Sequence, residues 1–133
     1  MAVLRESSTY KPATSRTGLI QCFGRASTTD ATTTKVLSLN VAELESIGFD
    51  GVLVGVQSDY SDQIVVKITG GARRATAGNV TLTGTVTVTI AESAAGTNAT
   101  VTADTTNQNV DINAVGIAAE NWSWEFIGTY FKV

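Results

Sequence analysis

The side chains that could do chemistry are few, and the absent ones say as much as those present. The chain has no histidine. Its absence removes the commonest general base, the Ser-His-Asp and Cys-His nucleophile pairs and ordinary zinc sites. Two carboxylate pairs remain, Asp104 with Asp111 and Asp59 with Asp62, and acid–base work by two carboxyls is the chemistry they could support. Asp and Asn in strand-end turns mostly bond their own backbone, and that role outweighs catalysis about nine to one. A calcium loop over Asp104–Asp111 lacks the glycine and terminal glutamate of an EF-hand. Gly70, Gly71 and Gly78 are not followed by Gly-Lys-Ser/Thr and make no phosphate loop. The expectation is a protein that is not an enzyme and needs no cofactor or metal.

Binding chemistry is better represented. Trp122 and Trp124 lie two apart and share one strand face, so they could stack a sugar ring or another subunit. Phe126 extends the same stripe, which favours core packing about three to one. With Tyr60, the two tryptophans form the candidate contact set of a ligand-binding reading. Arg73 and Arg74 could pair with a partner, although exposed cations at such a site usually face solvent. Asn79, Asn98 and Asn121 each open a glycosylation triplet, which chance explains in so threonine-rich a chain. Cys22 is alone and reads as a small buried hydrophobe.

Charge is uneven along the chain. The formal net charge is −3. Residues 1–29 nevertheless carry Arg5, Lys11, Arg16 and Arg25 against Glu6 alone, ahead of an acidic remainder. Residues 1–16 read as an arm, either a solvated terminus or a segment lying on an acidic neighbouring protein through Arg5, Lys11 and Arg16. Four scattered cations without clustered aromatics are a poor phosphate footprint, so nucleic acid is not expected. No apolar stretch serves as a secretion signal or crosses a bilayer, and no membrane partner is expected.

Positioning these residues requires a fold, and the strongest pattern runs from Asn79 to Ala91. Val80, Leu82, Val86, Val88 and Ile90 fall on one parity, and five threonines fall on the other. A period of two means a strand with one oily face, here expected to lie against a second sheet. Around it, Thr17–Gly24, Lys35–Asn40, Gly51–Gln57, Gln63–Thr69, Asn98–Ala103, Asn109–Val115 and Trp122–Val133 also read as strands, with a hairpin through Ser58–Asp62. Arg25–Thr34 reads as a loop. Asn40 caps a short helix over Val41–Ile47, with Gly48 ending it. Gly70-Gly71 breaks the strand before a linking segment. Gly51–Gln57 and Gln63–Thr69 are apolar on both parities, as in strands buried centrally or at a subunit contact. The expected architecture is all-β: a β-sandwich or jelly roll of eight or nine strands, one short helix and an N-terminal arm, with residues 17–133 a single domain.

The run Ala72-Arg73-Arg74, then Gly78-Asn79-Val80-Thr81-Leu82-Thr83-Gly84-Thr85-Val86-Thr87, resembles a β-rich module of virion surface proteins of tailed bacteriophages. So do Ala99–Asn107 with its Ala-Asp-Thr-Thr-Asn turn, Asp111-Ile112, Gly116 and the aromatic strand around Trp122–Trp124. Val115 and Gly116 adjoin, where the module has a Val-x-Gly corner. The resemblance spans 52–133 and implies a structural virion part: a fibre tip, a head fibre or a capsid decoration protein. Bacterial immunoglobulin-like domains share the Thr-rich alternation. A chain that begins at Met1 and holds an arm and one domain, without a fibrous shaft, suits a decoration (cement) protein on the outer capsid surface. Its expected partners are the major capsid protein and sister copies in a closed trimer. The alternative is a receptor- or glycan-binding module of a head or tail fibre.

Overall fold

The computed structural model describes residues 18–133. Eight strands follow one another: β1 (Ile20–Thr28), β2 (Thr33–Asn40), β3 (Glu45–Gln57), β4 (Gln63–Arg74), β5 (Thr81–Glu92), β6 (Asn98–Asp104), β7 (Asn109–Val115) and β8 (Trp122–Lys132). They form a five-stranded sheet in the order β1-β8-β3-β4-β5 and a three-stranded sheet in the order β2-β7-β6. All pairings are antiparallel. The result is sandwich-like. β3, β4 and β5 succeed one another within one sheet, so a jelly roll is not established.

The core lies between the sheets and follows the pleat. On β3 the odd positions Ile47, Phe49 and Leu53 are buried, and on β4 the even positions Ile64, Val66 and Ile68. β8 contributes Trp122, Trp124 and Phe126, and the facing sheet contributes Val36, Leu39, Val110, Ile112 and Ala114. Trp122 and Trp124 stack with ring centroids 5.7 Å apart. Room for these rings comes from glycine: a methyl on Gly55 would run into the six-membered ring of Trp124, and one on Gly51 into Phe126. Each such aromatic buries on the order of 150–250 Å² and dominates the apolar contribution to stability.

Four expectations need correction. No helix occurs among the described residues; residues 41–44 form a turn, with Leu44 at φ 61°, and β3 already begins at Glu45. The alternation Ile47, Phe49, Gly51, Leu53 buries a whole strand face, which outweighs two turns of unsupported helix. At the 41–44 turn Glu45 accepts the Ala42 N–H at 2.8 Å, and Glu43 accepts the Ala77 N–H. β1 extends to Thr28, so the loop is shorter than expected. β4 runs on through Gly70 and Gly71 to Arg74, because bare glycines let the Phe49 ring and the β5 backbone approach.

The largest correction concerns β5. It is a strand, yet almost all of it is wet on both sides, including Val86, Val88 and Ile90. Two register shifts against β4 leave Thr83 and Ile90 without a partner. An extra residue reverses which parity faces in. Leu82 pairs with Ala72 of the buried face, whereas Val86 and Val88 pair with Thr69 and Lys67 on the outward side. As the edge of a wider sheet, β5 also overhangs the three strands opposite. The sandwich therefore rests on β3, β4, β7 and β8, not on the segment that announced it.

Candidate interaction surface

The outward parity of the five-stranded sheet carries a row of exposed apolar side chains. Phe23 on β1 pairs with Ile127 on β8, which pairs in turn with Val52 on β3, so three hydrophobes form one row across three strands. Phe23 is 67% exposed and Ile127 62%. Val54 and Val56 continue the row along β3, and Phe131 stands over Gly48 at the far end. Val86 and Val88 carry the same face to the sheet edge. A shallow depression of about 810 Å³ lies here, lined by Val52, Val54, Val56, Ile127, Ser123 and Arg25 among others. A second, of about 420 Å³, lies on the other side of Ile127, beside Phe23 and Gln21. Soluble monomers rarely expose contiguous apolar patches of more than a few hundred Å² (~300–600) without a use for them.

Two ion pairs lie on this face, and Arg73 is exposed at one end of it. Arg25 Nε lies 3.5 Å from Glu125 Oε2, and Lys67 Nζ 3.0 Å from Asp50 Oδ1. Both pairs are exposed and add little stability.

The outward face of the three-stranded sheet is chemically the opposite. Asp111 and Asn113 are almost wholly buried there, roofed by neighbouring polar side chains. Ser38 Oγ donates to Asp111 Oδ1 at 2.6 Å, and Lys35 Nζ sits 3.2 Å from Asp111 Oδ2 and 3.9 Å from Asp104 Oδ2. Asn113 Nδ2 donates to Thr102 Oγ1 at 3.0 Å. Thus the fold brings Asp104 and Asp111 to the same ammonium group. Each is occupied structurally: Asp104 accepts the Asn107 side-chain amide at 2.8 Å and the backbone N–H groups of Thr106 and Asn107 at 3.0 Å each. Those bonds, the Asn107 side chain first, hold the Asp104 carboxyl below its ordinary value, with Lys35 adding to the effect. Asp59 and Asp62 are not joined; Asp59 closes a turn on Ser61, whose hydroxyl lowers its pKa, and Asp62 accepts from Ser93 Oγ. Among the described residues no three His, Cys, Asp or Glu side chains cluster as a metal site.

Trp122 and Trp124 are in the core, 1% and 2% exposed, and present no ring face to solvent. Their indole N–H groups are taken by Glu120 Oε1 and Thr28 Oγ1, each at 3.0 Å. Tyr60 is 81% exposed on the β3–β4 turn at φ 63°. Of the three residues expected at a ligand contact, Tyr60 is the exposed one. Arg74 Nε donates to the Gly78 carbonyl, and Arg73 is exposed. Cys22 is half-buried, and desolvation raises its thiol pKa. Arg5, Lys11 and Arg16 lie outside the described residues. No helix among the described residues is long and apolar enough to cross a membrane.

Sequence reasoning missed the row Phe23–Ile127–Val52 as a surface. The signal was present in the two-sided apolarity of Gly51–Gln57 and in the second parity of β8. It also missed Gln108, which holds the start of β5 against the β6–β7 turn. The Gln108 side chain accepts the Val80 N–H at 2.8 Å and donates to Asn79 Oδ1 at 2.9 Å and to the Thr105 carbonyl at 2.7 Å.

No protein-family profile and no curated protein matches this chain. Among solved structures, it is similar to the crystal structure of the Acinetobacter baumannii phage AM24 tailspike protein, with a TM-score of 0.44 and 8% identity. The similarity covers 84% of this chain and 26% of the tailspike chain.

Proposed function

We propose that this chain is a non-catalytic structural protein of a virion, and that it decorates the outer capsid shell and stabilises it. The observation that carries the reading is the Phe23–Ile127–Val52 row: a broad, shallow, apolar sheet face is a surface for docking protein. The resemblance of residues 52–133 to phage virion surface modules supplies the kind of partner, a major capsid protein. Mechanism in this reading is clamping. A ligand that binds the intact shell and not its opened form stabilises it by mass action, with no bond made or broken. Apolar area buried at the seam contributes about 25 cal/mol per Å², less the cost of association.

A fibre-borne receptor- or glycan-binding module is the second reading, and exposed Tyr60 is the observation that favours it. Imaging labelled copies on intact particles separates the two. Label over the whole shell supports decoration; label confined to fibres or the tail tip rejects it.

A further inference from the structure

We propose that β5 is a homotypic pairing edge, where two copies of this chain join antiparallel through residues 85–89 about a two-fold axis at Thr87. The first ground is the edge itself. β5 is the last strand of its sheet, so every second backbone N–H and C=O points away from β4. Among the described residues, none bonds those backbone groups between Leu82 and Ala91 from outside the sheet. Native proteins guard such edges with inward charges, lysine, proline or brevity. β5 spans 12 residues and has no charge before Glu92 and no proline. Its guards are the two bulges at Thr83 and Ile90, and these leave a regular window, Gly84–Thr89, between them.

The second ground says what fits that window. Residues opposed across two strands share a sheet face, so outward Val86 and Val88 must meet outward residues, and the threonines must meet threonines. The sequence Thr85-Val86-Thr87-Val88-Thr89 reads the same in both directions. A two-fold at Thr87 therefore sets Val86 against Val88 twice, Thr85 against Thr89 twice and Thr87 against itself. Every pair is β-branched and neutral, and no like charges are opposed. Moving the axis to Val86 would set Gly84 against Val88 and lose packing at both ends. The pairing would also continue the apolar outward face from one copy into the next, through Val86 and Val88. A second copy is thus the occupant whose side chains match in register. The contact is isologous and joins copies in twos. It does not depend on the virion reading, since a monomer could still decorate a shell.

The test is sedimentation of the full chain, with disulfide trapping as a second readout. The expected result is a species of twice the chain mass, which Thr87→Lys returns to a folded monomer, still unfolding in one cooperative transition, with about a tenfold or greater loss of affinity. In a Cys22→Ser background, Thr87→Cys should oxidise to a covalent dimer, because facing cross-strand residues lie within disulfide reach, at a Cα separation of about 4.5–5.5 Å. Val52→Cys should not. A monomer at all concentrations, a trimer, or a dimer indifferent to Thr87→Lys and untrapped by Thr87→Cys would overturn the proposal.

Discussion

The indole N–H of Trp124 donates to Thr28 Oγ1 at 3.0 Å, and both groups are buried between the sheets. The bond ties β8 to the last residue of β1, just before the chain crosses to the opposite sheet as β2. It satisfies the one polar atom of a large core ring, and its loss would strand that atom in an apolar setting. Thr28→Val keeps the shape and deletes the acceptor. It should destabilise by about 1–3 kcal/mol, and Thr28→Ser should recover most of that. Urea unfolding of the pair checks this.

Gly55 faces the same ring from β3. Gly55→Ala should destabilise by about 1–3 kcal/mol, since a methyl there forces Trp124 from its place. Near-ultraviolet circular dichroism should report the displaced indole. Gly84→Ala, with nothing within 4 Å, is the control and should leave the spectrum unchanged.

Gln108→Ala should leave the partly buried Val80 amide without its acceptor and free the start of β5. The expected cost is about 1–3 kcal/mol. Amide hydrogen exchange should show faster exchange at Val80 while the β3 core stays protected.

Acid should act through Asp104. Its folded pKa is lowered from 3.8, chiefly by the Asn107 side chain and the turn amides. A lowered carboxyl contributes stability that is fully present above the unfolded value and is lost as pH falls through the folded one. The melting temperature should therefore decline below about pH 4, and Asp104→Asn should flatten part of that decline. Scanning melts from neutral pH down to pH 2 reads the slope directly.

How much of this was legible in the sequence depends on where each strand sits. β6 and β7 are visible at nearly their observed bounds, because both lie in the smaller sheet with one face on the core and turn residues at either end. The tryptophan stripe of β8 is legible for the same reason. β5 misleads because a residue pattern cannot show a bulge: Thr83 and Ile90 each shift the parity, and the oily side turns outward. The helix expected over Val41–Ile47 fails because spacing of three among Val41, Leu44 and Ile47 imitates a helix locally. The competing alternation from Ile47 to Leu53 is satisfied only once the opposite sheet is present. The Phe23–Ile127–Val52 row was hidden for a related reason, since its members come from three strands whose order no sequence states.

The docking role of that row is the central claim, and co-sedimentation with shells lacking the protein tests it most directly. Wild-type protein should pellet with the shells and saturate, whereas Phe23→Lys combined with Ile127→Lys should stay in the supernatant while melting at the wild-type temperature. Undiminished binding by that folded double variant would contradict the account.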